Sequence, residues 1–168
     1  MLNLFINRFN QTLETIQDSL KYVDDKQAHW RPGDGEWSIL EVINHLYDEE
    51  REDFRRRLDL ILHYPGLPWP PIDPKKWVIE RDYNSRNIQD SLNSFMDERD
   101  KSIKWLKTIK NPDWDNQYNL EGIGVIRAGD LLASWLAHDY IHVAQISRIK
   151  AQYVNVSSKG YSTKYAMP

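Results

Sequence analysis

Apolar residues recur at steps of three and four in four separate stretches of this chain, and that spacing dictates helices sharing a common core. In the first stretch Leu2, Phe5, Phe9, Leu13, Ile16 and Leu20 form one stripe, which predicts a helix near residues 2–22. The second carries Ile39, Leu40, Ile43, Leu46, Phe54, Leu58 and Ile61 and predicts a helix over 38–64. Ser38 and Glu41 have the spacing of a capping box, and Trp37 is placed to staple onto Val42. Ile88, Leu92, Phe95, Met96, Ile103 and Leu106 predict a third helix over 86–110. Leu131, Leu132, Trp135, Ile146 and Ile149 predict a fourth over 126–152.

The breaks are equally plain. Trp30-Arg31-Pro32-Gly33-Asp34-Gly35 cannot continue a helix, and Asn111-Pro112 closes the third. Pro65, Pro68, Pro70, Pro71 and Pro74 end the second helix and predict an extended connection up to about Ser85. Such a length exceeds the usual two to eight residues between bundle helices, and it permits a crossover between helices two and three. Trp69 and Trp77 predict that this connection packs onto the bundle. The stretch from Asp113 to Gly124 reads as a polar, glycine-containing loop, and the tail from Asn155 is rich in Ser, Lys and Tyr. No hairpin signal is strong enough to predict a sheet. The expected fold is therefore all-α, a four-helix bundle occupying residues 1–168 as one domain.

Composition narrows the function. Lys+Arg number 22 against 25 Asp+Glu, a net charge of -3, whereas a nucleic-acid partner calls for a basic face. No apolar run approaches the roughly 18 residues of a membrane span. Met1 to Arg8 lacks the basic start and apolar run of a signal peptide, so a cytoplasmic location is expected. Cysteine is absent, which removes disulfides, thiolate ligands and a cysteine nucleophile. A metal ion would have to sit on His, Asp or Glu, a donor set suited to Zn, Ni, Mn or Fe.

His138-Asp139-Tyr140-Ile141-His142 places two histidines one helical turn apart, close enough to share an ion. His142 falls inside the apolar stripe and His138 at its edge. The competing reading is two ordinary core histidines with satisfied nitrogens. The zinc-protease pattern H-E-x-x-H is not met, since Asp139 stands where the glutamate base belongs. A third ligand is open among His29, His45 and His63. Periodicity puts His45 off the main stripe, beside Glu41, Asp48, Glu49 and Glu52, where a solvated histidine is the simplest reading. Gln145, one turn after His142, reads as a structural hydrogen-bonding residue.

Two blocks carry a resemblance. Trp37-Ser38 through Glu41 to His45-Leu46, following Trp30-Arg31-Pro32, resembles the second-helix signature of the DinB-like family. Gly129 through His138-Asp139, His142 and Gln145-Ile146 is similar to its fourth-helix signature. The resemblance implies a bundle with an up-down-down-up path and one divalent metal ion on His45, His138 and His142, with positions open to water. Bound water on such an ion is acidified towards a pKa of about 7. It implies a metal-dependent hydrolase of a small molecule, or a transferase using a low-molecular-weight thiol as cosubstrate. The alternative is a non-catalytic, metal-bound stress-response module. Glu49 and Asp139 are the candidate catalytic residues, as proton carriers or as partners orienting an imidazole, against the plainer reading of surface or capping carboxylates. A homodimer is also expected, from the resemblance and from an aromatic surplus of seven Trp and nine Tyr.

Overall fold

A computed structural model describes residues 2–166. Helix α1 spans Leu2–Leu20 and the short α2 spans Asp25–His29. The second long helix has three parts: α3 (Ile39–Asp48), a π-helical segment (Glu49–Phe54) and α4 (Arg55–His63). After it come α5 (Pro74–Glu80), a 3-10 turn (Tyr83–Ser85) and α6 (Ile88–Thr108). Strands β1 (Gln117–Leu120) and β2 (Gly124–Arg127) precede α7 (Ala128–Ser157). Among the described residues no helix is long and apolar enough to cross a membrane.

The four long helices bury their stripes against one another. Helix α1 packs on α6 and α7, and α3 packs on the same two helices. Two apolar layers result, one around Phe9, Phe54, Leu58 and Trp135, the other around Ile16, Val42, Ile43, Phe95 and Ile146. Between them lies a polar layer, and its hydrogen bonds fix how the helices are set. Asn44 bonds Ser91, Glu50 bonds Arg99 and Arg55 bonds Ser102, so residue numbers on the second helix and α6 rise together. Thr12 bonds Asp139 and Lys150 bonds the Ser19 carbonyl, the same sense for α1 and α7. By contrast Thr12 meets Arg99 while Gln17 meets Met96, and His45 meets His138 while Glu50 meets Trp135, with numbers running oppositely.

Three expectations need correction. The proline-rich connection is not extended throughout. Asp73 caps a helix whose first residue is Pro74, a position where the missing N–H is harmless. This strap is tied down: the Tyr83 hydroxyl donates to Asp48 Oδ2 at 2.5 Å, and Arg81 pairs with Asp48 and Glu52 at 2.6 and 2.8 Å. Second, the supposed loop before α7 contains an antiparallel hairpin closed by Glu121-Gly122-Ile123, with Gly122 at φ +81°. Tyr118 of β1 stacks on Trp69 at 4.1 Å and its hydroxyl accepts the Trp69 N–H. The bundle is thus mostly helical rather than purely so. Third, the second helix is not uniform, because its middle turn widens to i→i−5 bonding, with the Arg55 N–H donating to the Glu50 carbonyl.

Candidate metal centre

His45 reaches the interior from α3, which starts at the expected capping box. The Ser38 N–H donates to Glu41 Oε2 at 2.8 Å and the Glu41 N–H to Ser38 Oγ at 3.2 Å. His138 and His142 enter from α7. The His138 Nε2 stands 3.1 Å from the Nε2 of His45 and 3.1 Å from that of His142. One donor nitrogen from each ring lies within 4.8 Å of the other two. Metal–nitrogen bonds of 2.0–2.1 Å in a tetrahedral set require donors roughly 3.3 Å apart, so these residues fit one ion.

Burial sets the charge of the cluster. His45 is 5 % exposed and His142 7 %. Trp37 covers both, with ring centroids 4.8 Å from His45 and 6.4 Å from His142, and Phe54 lies 5.1 Å from His138. Loss of water, then the neighbouring imidazoles, push the His45 pKa down to about 2. The same order of causes pushes His138 down to about 3. Burial lowers His142 as well, against an opposing hydrogen bond from Gln145. The three rings are therefore neutral at pH 7, as ligation requires. His142 Nδ1 lies 2.7 Å from Gln145 Oε1, an acceptor that fixes its proton on Nδ1 and leaves Nε2 free to bind. His45 Nδ1 is buried without a partner.

Of the carboxylates expected on a solvated face, Glu41, Asp48 and Glu49 are buried and Glu52 is half-buried, because the strap and α7 enclose this side of α3. Nearly all are matched by arginine: Glu41 by Arg31, Asp48 by Arg51 and Arg81, Glu50 by Arg99, Asp53 by Arg57. Glu49, one turn after His45, is 5 % exposed, forms no ion pair among the described residues, and leaves Oε1 without a hydrogen-bond partner. Burial first, then the charge of Asp53 and the hydrogen bond with it, push its pKa up to about 8 against the opposing pull of Arg57. Asp53 is raised too, chiefly by burial.

Asp139 is placed differently from its sequence neighbour His138. Its Oδ1 accepts from Arg99 Nη2 at 2.8 Å, and its Oδ2 from Arg99 Nη1 and Thr12 Oγ1 at 2.5 Å each. Arg99, fully buried, also holds Glu50 through Nε and Nη2 at 2.8 and 2.7 Å, while the Trp135 indole donates to Glu50. His29 and His63 stay outside the cluster, bonded to the Asp25 carbonyl and to Asp59. Sequence reading missed Arg99, Thr12, Asp53 and Arg57. An arginine within the apolar stripe of α6, between Phe95 and Ile103, was the available signal.

The sequence profile of the DinB superfamily matches residues 8–146. The chain belongs to the DinB superfamily. Among its DinB relatives, YfiT of Bacillus subtilis, described as a candidate metal-dependent hydrolase, is 23 % identical over 149 residues, covering 85 % of this chain and 83 % of that one. OB0782 of Oceanobacillus iheyensis, described in the same words, is 22 % identical over 149 residues, or 89 % and 86 % of the two chains. The solved structure of B. subtilis YfiT, reported as an unusual four-helix bundle, matches with a TM-score of 0.78 at 18 % identity, over 96 % of this chain and 89 % of that one. The DinB bundle fold is shared.

Proposed function

We propose that this protein holds one divalent ion on His45, His138 and His142 and uses it to hydrolyse a small molecule. The convergence of three uncharged imidazoles, two buried and His138 half-buried, with two Nε2 pairs 3.1 Å apart, carries the reading. An ion on three neutral donors keeps its double charge and supplies an acidified water or a polarised carbonyl. Zn, Ni, Mn and Fe all suit the donors. The description of both relatives as hydrolases supports hydrolysis over thiol S-transfer and over a non-catalytic module.

In this reading Glu49 holds and releases the proton. It forms no ion pair among the described residues, and burial first, then Asp53 beside it, keep its affinity for a proton near neutral pH. Asp139 anchors α7 through Arg99 rather than moving a proton. The up-down-down-up path belongs to the proposal and is supported by the pairing of residue numbers across the helices. So do a cytoplasmic setting and a homodimer, the latter tested by light scattering, where a clean monomer would defeat it.

Metal analysis tests the centre. The wild type should carry one ion per chain, and the His138→Ala, His142→Ala double variant none, while His29→Ala and His63→Ala retain it. Stoichiometric metal in the double variant would sink the site. In ester and thiol-plus-electrophile screens of the loaded protein, Glu49→Gln should lower kcat by about a hundredfold or more with metal content unchanged. Full activity in that variant removes Glu49 from the mechanism.

A further inference from the structure

A cavity of about 530 Å³ lies against the metal centre, lined by Trp37, Gln145, Lys75, Arg148, Glu36 and Ile149. Its volume suits a small organic molecule. Trp37 and Gln145 are the wall it shares with the centre. The first covers His45 and His142, and the second holds His142 Nδ1. A molecule in this cavity therefore touches the two side chains that set the position of two ligand imidazoles.

The charges of the lining are unequal. Lys75 and Arg148 make no ion pair among the described residues, although most arginines of this chain are committed to carboxylates. Glu36, the single acidic side chain of the lining, forms no ion pair with either. Trp37 and Ile149, with Pro32, supply the apolar part of the lining. A guanidinium and an ammonium without partners beside an aromatic face recognise a carboxylate or phosphate attached to an apolar body.

We propose that this cavity is the recognition subsite of the metal centre and takes an organic anion, its charged group on Lys75 and Arg148 and its apolar part on Trp37. The inference deepens the hydrolase reading and rests on it for the role of the ligand, though not for binding itself.

Binding is measured by calorimetry, and by the indole resonance of Trp37, on metal-free and zinc-loaded protein. The probes are phenylacetate, its uncharged counterpart phenylacetamide, and inorganic phosphate. Phenylacetate should bind at least tenfold more tightly than either of the others and shift the Trp37 resonance. Lys75→Ala and Arg148→Ala, both at exposed positions, should each weaken it severalfold, and the double variant should abolish the preference over phenylacetamide. Equal binding of phenylacetate and phenylacetamide, phosphate binding as tight as phenylacetate, or a double variant with unchanged affinity would each overturn the proposal. Anion binding by the metal-free chain together with a failed metal stoichiometry would defeat the metal reading alone. A normal metal content without anion binding would defeat only the subsite.

Discussion

Glu49 and Glu50 are neighbours in sequence and both buried, yet they belong to opposite kinds of interior. Glu50 faces the bundle axis, where Arg99 and the Trp135 indole take up its oxygens, and Asp139 and Thr12 complete the set. Glu49, one turn after His45, forms no ion pair among the described residues and has no donor on Oε1. One cluster is charged and saturated, the other neutral and short of partners. Buried charges persist where they are fully paired. A group that is buried and left unpaired gives up its charge instead, which is the state a metal ligand or a proton carrier needs. The contrast separates what holds the helices together from what stands ready for chemistry.

Removing Arg99 should produce the largest effect. Arg99→Met leaves Glu50 and Asp139 without their cation, and unfolding in urea should show a loss of about 3–5 kcal/mol. A variant as stable as the wild type would deny the saturated cluster its structural role.

The neutral cluster should reveal itself through pH in metal-free protein. Its imidazoles bind protons less readily in the folded chain than at their ordinary value, with His45 near 2 and His138 near 3. As pH falls below about 6.5 the unfolded chain takes up protons that the folded chain refuses, and stability is lost. The loss should be on the order of 2 kcal/mol by pH 6, and zinc should delay it. Glu49 acts in the opposite direction. Its folded value, about 8, lies above its ordinary one, so its contribution is lost as pH rises through that value. Urea midpoints across pH 5.5–8.5, with zinc and with chelator, measure both arms. An unchanged acid arm in the His138→Ala, His142→Ala variant would contradict the assignment.

Gln145→Ala sharpens the same contrast with the smallest effect. It frees His142 Nδ1 without touching the Arg99 cluster, so zinc affinity should fall about tenfold in a chelator competition while the metal-free stability stays put. Equal zinc affinity would show that the ring is oriented by its packing on Trp37.

What the sequence revealed follows from where each cause is written. Helix positions are local, and the Ser38–Glu41 capping box and the four stripes place them within a few residues. The pair His138 and His142 is local too, being one turn apart on α7. His45 was different. Its own helix assigns it to a polar face, and what buries that face comes from residues 69–83 and from α7, far along the chain. Family resemblance supplied His45 where periodicity had left it solvated. The hairpin escaped because four-residue strands, Gln117–Leu120 and Gly124–Arg127, offer too few alternations to stand out. In the π-helical segment the extra residue leaves no trace in a run as polar as Glu49-Glu50-Arg51-Glu52-Asp53.

The strap over α3 has a consequence for the chemistry it never touches. Lengthening a loop is entropically mild, about 0.6 kcal/mol for each doubling, so a chain can lay a long connection over a helix at little loss of stability. Trp77, Val78 and Tyr83 of that connection pack against Trp37, and Trp37 packs against His45. Desolvation of the imidazole therefore begins in a linker more than thirty residues away, and a change that merely loosened the linker would let water in and return His45 towards an ordinary histidine. Here a connection between helices controls the access of solvent to His45.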